Sequence, residues 1–399
     1  MRRDPPGDLT HPEWWVGLKL QRDWQRKYVP LRGRAGRPFT YTTPDSVMED
    51  LSLIDRGTSG SLLLPEEVVS PEHRNRYIVS SLIEEAITSS QIEGAATTRR
   101  VAKEMIRTGR KPTTRDERMI LNNYHAMRWL RTRTDEPLTP GLVMELHRVI
   151  GRDALDAGEP GELRGPDPSG RFGVWSGERL LHRPPPHDEL ADRLDAMCAF
   201  ANGEVERPFM HPILKAITLH FWLAYDHPFE DGNGRVARSL FYWYVLRDGY
   251  WLFEYVSISR VLKKAYAQYA RAYLQTETDD NDLTYFLLFH LKVIHQAVEE
   301  VQAYLQRKVR EMRDVKAILQ PGTDLNHRQI ALLQHAMRHP GRTYTIASHR
   351  TSHAVAYATA RADLLDLAER GLLEKGAVGK AFVFTAPADL SDRLGTLGA

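Results

Sequence analysis

The run His227-Pro-Phe-Glu-Asp-Gly-Asn-Gly-Arg-Val-Ala-Arg238 puts a histidine, an aspartate, two glycines and two arginines into twelve consecutive residues. On its N-terminal side, Pro212 to Tyr225 carries Ile213, Ala216, Ile217, His220, Phe221 and Ala224 at helical spacing, a stripe that faces a core. On its C-terminal side, Arg235 to Leu246 repeats the pattern with Ala237, Leu240, Phe241 and Tyr244. The run is therefore a tight loop between two helices, and Asp231-Gly-Asn-Gly234 leads into a helix N-terminus.

That position has a chemistry of its own. The first backbone N–H groups of a helix have no intrahelical partner and the dipole favours anions, so glycines that let the chain come close suit a di- or triphosphate. Arg235 and Arg238 lie three apart, on one side of the new helix, where forked donors hold phosphate oxygens. Asp231 supplies a hard oxygen of the kind Mg²⁺ accepts when phosphates provide the other ligands. His227 is of the residue type that takes a proton from an incoming hydroxyl near neutral pH. A solvated salt-bridge cluster on a glycine-rich turn is the plain alternative for any one of these residues; their joint spacing argues against it for the set.

The run resembles the His-Pro-Phe-x-Asp/Glu-Gly-Asn-Gly-Arg-x-x-Arg signature of Fic proteins, with every fixed position present. The resemblance implies a nucleotidyltransferase: a protein adenylyltransferase (AMPylator) that moves AMP from ATP to a hydroxyl side chain of a target protein. It further implies that His227 is the base, that Asp231 holds Mg²⁺, and that Gly232, Asn233, Gly234 and Arg235 hold the α- and β-phosphates. Arg238 would meet the γ-phosphate. Tyr269, after the motif helix, falls where the family places nucleoside contacts, and it either stacks on adenine or fills core. Tyr266 and Tyr273 are expected in the core.

Two further segments extend the resemblance. Ser89-Ser-Gln-Ile-Glu93-Gly94 ends a helical run from Tyr77 and is similar to the family's inhibitory motif. Ser89 and Glu93, four apart, share a helix face, and Gly94 suits a helix C-cap. By resemblance, Glu93 pairs with Arg238 and occupies the γ-phosphate position. Between Gly161-Glu-Leu-Arg164 and Pro184-Pro-Pro186, Arg171-Phe-Gly-Val-Trp175 and Arg179-Leu-Leu-His182 flank Ser176-Gly177 as a β-hairpin. In Fic proteins a hairpin here, the flap, pairs with the target's main chain. Val174, Trp175, Leu181 and His182 are therefore expected to line the target channel, with a core position equally open to Trp175.

The expected fold is mainly α: a Fic-type helical bundle with a β-hairpin flap and a small C-terminal winged helix-turn-helix (α+β) module. The expected layout is an N-terminal extension over 1–70, with Trp14, Trp15 and Trp24 packing onto the neighbouring catalytic domain. That domain, over 71–312, includes the inhibitory helix near 77–94 and the flap near 164–184. A linker over 313–324 and the winged-helix module over 325–399 complete it. In that module Val355 to Leu367 resembles a reading helix, but Ala356 stands where the pattern has a capping Ser or Thr.

Composition sets the remaining bounds. The net charge of +2 gives no global pull toward nucleic acid or membrane, and the lone Cys198 allows no intrachain disulfide. With no apolar run of membrane-spanning length and no signal-peptide core after Met1-Arg-Arg-Asp-Pro-Pro, the expectation is a cytoplasmic protein without membrane contact. No zinc spacing appears among the sixteen histidines. The expected partner is a protein presenting a Ser, Thr or Tyr hydroxyl, the chain itself included, with homodimerisation left open. The rival reading is a DNA-binding winged-helix regulator with a nucleotide-sensing Fic domain; protein contact through that module is the plainer alternative. Residues 325–399 carry only +3, a thin basic footprint. A Fic enzyme that removes AMP or uses another donor is a further alternative.

Overall fold

The computed structural model describes residues 4–58, 71–205, 209–318, 324–379 and 381–395. The chain falls into two compact units that do not follow sequence order. The first comprises the described parts of Met1–Arg56, Trp129–Tyr250 and Lys264–His295; the second those of Gly57–Arg128, Trp251–Lys263 and Gln296–Ala399. The expected single domain over 71–312 is thus shared between two units.

Two helices form the heart of the first unit. Pro212–Asp226 has Pro at its first turn and is buried on almost every side from Ile213 to Leu223, as a helix apolar all round must be. Asn233–Arg247 packs on it, and its buried run from Arg235 to Val245 includes Phe241 and Trp243. Pro140–Gly151 and Leu190–Asn202 complete the bundle around them, starting from a Thr139 cap and ending at left-handed Gly203 respectively. The expected extension belongs here. Strands Lys27–Arg32 and Pro38–Tyr41 pair antiparallel, and Phe39 meets the Phe221 and Tyr225 rings edge-on at 5.2 and 4.9 Å. Trp14 and Trp15 are half-buried. Trp24 is not: it is 92% exposed, just beyond the helix His11–Asp23 that carries the other two. Cys198 is buried, and burial pushes its thiol up to about 12, so it behaves as a small apolar side chain.

The second unit contains the expected inhibitory helix, which runs Pro71–Ile92. Its buried Glu85 accepts from Ser257 Oγ at 2.8 Å and from the Ser259 backbone N–H at 3.1 Å. Asn123 reaches Ala86 O at 3.4 Å from the neighbouring helix Arg115–Arg131. Buried polar groups held this way fix the rotation of the helix as well as its place.

The expected linker over 313–324 is corrected by the structure. A single helix, Thr284–Ile318, continues through its first residues, because Val301 and Leu305 keep an apolar stripe running along it and no proline or glycine intervenes before Pro321. Residues 319–323 lie outside the described residues. Beyond them come helix His327–Arg338, strand Thr343–Thr345, helices Ile346–His353 and Tyr357–Glu369, strands Glu374–Val378 and Ala381–Thr385, and helix Leu390–Gly395. The first strand completes an antiparallel sheet in which Ala381–Thr385 lies between the other two strands. Leu333, Leu364, Leu367, Leu372 and Phe384 form the module's core. Ala356 caps its helix without a side-chain bond, as its side chain dictates. Among the described residues, no helix is long and apolar enough to cross a membrane.

Candidate active site

The loop between the two central helices begins with a strained residue. His227 ends Pro212–Asp226 in the left-handed conformation, at φ 47° and ψ 56°, which costs a non-glycine residue about 1–3 kcal/mol unless its surroundings hold it there. Those surroundings are visible. Its backbone N–H donates to Leu223 O at 3.0 Å, and its carbonyl accepts from Arg164 Nε at 2.8 Å. Arg164 also donates to Pro185 O at 2.5 Å through Nη2, while its backbone N–H meets Pro228 O at 2.9 Å. One arginine thus ties the base candidate to both ends of the hairpin segment. His227 Nδ1 lies 3.2 Å from Ala224 O. A proton assigned to Nδ1 on that contact makes Nε2 the basic nitrogen.

The middle of the loop is held from its other side. His147 Nδ1 accepts from the Gly161 N–H at 2.9 Å, so its Nε2 carries the proton and donates to Asp231 O at 2.9 Å. Its ring stacks on Phe229 at 3.7 Å, and burial lowers its pKa to about 4, keeping it neutral in this role. Gly232 follows at φ 88°, where an added Cβ would come within 3.2 Å of His147 Nε2. Glycine is needed here both for its backbone and for its size.

Asn233–Arg247 then starts from Gly232 with no side-chain cap, so its first N–H groups face the loop as an anion site. Arg235 and Arg238 are 0% and 1% exposed, two guanidinium groups buried within the first two turns. Asp231 lies beside them, its Oδ1 3.4 Å from Arg235 Nη2 and its Oδ2 accepting from the Asp156 N–H at 3.0 Å. One carboxylate in this setting fits a hard cation that takes most of its ligands from phosphates.

Several expected roles change. Asn233 uses both ends of its amide on one residue, accepting from Phe229 N–H at 3.0 Å and donating to Phe229 O at 2.7 Å. Its side chain therefore shapes the loop. His182, expected in the target channel, is buried: Nδ1 bonds Glu277 at 2.7 Å and Nε2 bonds Tyr225 O at 2.7 Å. It anchors the hairpin Val174–Ser176 and Arg179–His182 instead. Val174 and Leu181 are half-buried. Trp175 is 45% exposed, its indole donating to Arg171 O at 2.9 Å, which removes the core alternative. Of the two readings of Tyr269, core filler fits: it is 7% exposed, bonds His220 Nε2 at 2.8 Å, and packs with Phe286 and His290. Tyr266, expected in the core, is 54% exposed at the start of its helix Tyr266–Thr278. In the second unit, Ser89 is buried and Glu93 is exposed one residue beyond helix Pro71–Ile92, where Gly94 turns the chain at φ 96°.

Arg164 and Asp156 carried no signal as site builders. Arg164 recognises backbone carbonyls, and Asp156 offers only its own backbone N–H to the Asp231 carboxylate, contacts brought close by folding.

This geometry has relatives. The Fic/DOC family model matches residues 137–245. Over 109 residues, 27% of this chain, the sequence is 35% identical to the Protein adenylyltransferase Fic of Culex quinquefasciatus and 37% identical to that of Drosophila ananassae. The match spans about a fifth of those proteins, 19% and 20% of their lengths. Among solved structures, the fold is similar to that of a Fic family protein from Desulfovibrio desulfuricans G20, with a TM-score of 0.56 and 19% identity over 87% of this chain and 97% of that one. A Fic domain containing signaling protein from Bacteroides thetaiotaomicron gives 0.50 at 20% identity, over 65% of this chain and 98% of that one. The signature loop and the matched domain agree: the chain carries a Fic/DOC family domain at residues 137–245.

Proposed function

We propose that the chain is a protein adenylyltransferase that uses ATP and Mg²⁺, acts on a hydroxyl side chain of a target protein, and is restrained by Glu93. The observation that carries this reading is the uncapped start of Asn233–Arg247, with two buried arginines behind it and His227 held at its mouth. The names of the matched relatives add the reaction type over the shared domain.

On this reading, backbone N–H groups from Asn233 to Arg235 and the guanidinium of Arg235 hold the α- and β-phosphates, and Arg238 meets the γ-phosphate. Asp231 holds Mg²⁺, which offsets charge on the phosphate oxygens. His227 Nε2 takes the proton of the target hydroxyl as its oxygen bonds to the α-phosphorus. The bond from that phosphorus to the β-bridging oxygen breaks, and pyrophosphate leaves. Positioning and charge stabilisation supply most of the acceleration in such a transfer. The hairpin presents Val174, Trp175 and Leu181 to the target, whose main chain it meets as an added strand. Glu93, with Ser89 and Gly94 behind it, competes with the γ-phosphate for Arg238.

The test uses ATP labelled separately at the α- and γ-phosphates, with Mg²⁺ and the wild type, Glu93→Gly and His227→Ala proteins. Label on protein from the α-position only, strongest in Glu93→Gly and absent in His227→Ala, is the expected outcome. Full transfer by His227→Ala would remove the assigned base, and equal rates in wild type and Glu93→Gly would remove the brake. Absence of label in all three would favour AMP removal or another donor. For the C-terminal module, Tyr357 and Arg361 are exposed at the start of Tyr357–Glu369, where a reading helix makes base contacts. Retention of duplex DNA at physiological salt would favour a regulator; its loss favours protein contact.

A further inference from the structure

A second cationic site lies far from the loop in sequence, within the second unit. Helix Arg99–Thr108 places Arg100, Lys103 and Arg107 three and four residues apart, on one face. That face and the C-terminal module enclose a cleft of about 740 Å³, whose module wall includes His335, Arg342 and Ser348. The lining carries four Lys or Arg side chains against one acid, Glu104. The cleft is also lined along helix Ile346–His353, from its Thr345 cap to His353.

We infer that this cleft is a binding site for a small phosphate-bearing anion, separate from the loop at His227–Arg238. Its volume is that of a small-molecule pocket, in the usual range of about 300–1,000 Å³. Arginines on two opposed elements suit an extended polyphosphate or phosphate ester, held by forked donors from both walls. Lys103, Arg107, His335 and Ser352 line this cleft and also an adjoining pocket of about 230 Å³, which reaches Tyr77, Val79 and Ser80 of the inhibitory helix. Helix Ile346–His353 packs on that same helix. A ligand here ties the C-terminal module to the helix that carries Ser89. Given the reading of Glu93 as a brake, the ligand is an effector of that brake; the binding itself does not depend on that reading.

The test is amide hydrogen exchange of the full chain with and without inorganic pyrophosphate, followed in peptides from 99–108, 342–353 and 229–238. The comparison protein is Arg100→Gln/Arg342→Gln, which changes two exposed residues and leaves the loop untouched. The expected result is slowed exchange at 99–108 and 342–353 in the wild type. In the variant, the pyrophosphate concentration for half protection there rises by about tenfold or more, while any response at 229–238 is unchanged. No protection of the cleft peptides at millimolar pyrophosphate, or equal protection in wild type and variant, would overturn the inference. Lack of protection at 229–238 bears on the proposed active site alone, so the two failures are distinguishable.

Discussion

His147 shows how a side chain outside the chemistry can govern it. Its two nitrogens bridge Gly161 and Asp231, and the bridge requires the neutral ring. Its pKa falls from 6.5 to about 4 on folding, through burial first of all. The unfolded chain therefore binds the proton more readily, so the stability this residue contributes is complete above about pH 6.5 and is lost as pH falls through 4. Buried His290, lowered to about 3, and His220 act in the same direction. Urea midpoints measured from pH 7 to pH 4 should fall for the wild type. For His147→Gln the fall should be shallower, by up to about 1 kcal/mol per pH unit; parallel profiles would mean that other groups carry the acid sensitivity.

At the scale of elements, the hairpin is joined to the first unit through His182, which reaches Glu277 and the end of Pro212–Asp226. The strands themselves are three and four residues long with an irregular register, too short to hold position alone. His182→Ala should therefore speed amide exchange of 174–182 and weaken use of a protein target, with KM rising about tenfold. Nucleotide affinity, measured by titration calorimetry, should stay within about twofold, because no phosphate-facing group is touched. Equal losses in both would assign His182 to the nucleotide site. The alternation of Val174 to His182 announced the hairpin, but pairing register and burial decided which of its residues are exposed.

At the scale of the whole chain, the C-terminal module is held by a buried polar knot. Asp363 accepts from Arg328 at 2.6 and 2.8 Å, from Asn326 at 2.8 Å, and bonds His349 at 3.0 Å. These partners hold its carboxyl well below the usual range, against the opposing effect of burial. Removing one member of a buried ionic cluster leaves the others uncompensated, at about 3–5 kcal/mol. Asp363→Ala should lower the urea midpoint of the module, read from exchange or proteolysis in 326–373, while the Fic domain at 137–245 keeps its own midpoint. A single transition shifted for the entire chain would show that the two units unfold as one.

By itself, the sequence determined the features that depend on neighbours along the chain. Helical spacing around His227–Arg238, the glycines that a left-handed turn favours, and the paired arginines on one helix face are local properties. The loop, the mainly helical fold and the helix start that follows the loop derive from them. Tertiary structure decided what depends on partners distant in sequence. Arg164 reaches His227 across 63 residues and His147 reaches Asp231 across 84; both recognise backbone carbonyls, which every residue possesses and no sequence pattern marks. The same holds for the burial of His182 and Tyr269 and the exposure of Trp24 and Tyr266. Each was settled by whether another part of the chain offered an apolar surface or a hydrogen-bond partner, and that is a property of packing in three dimensions.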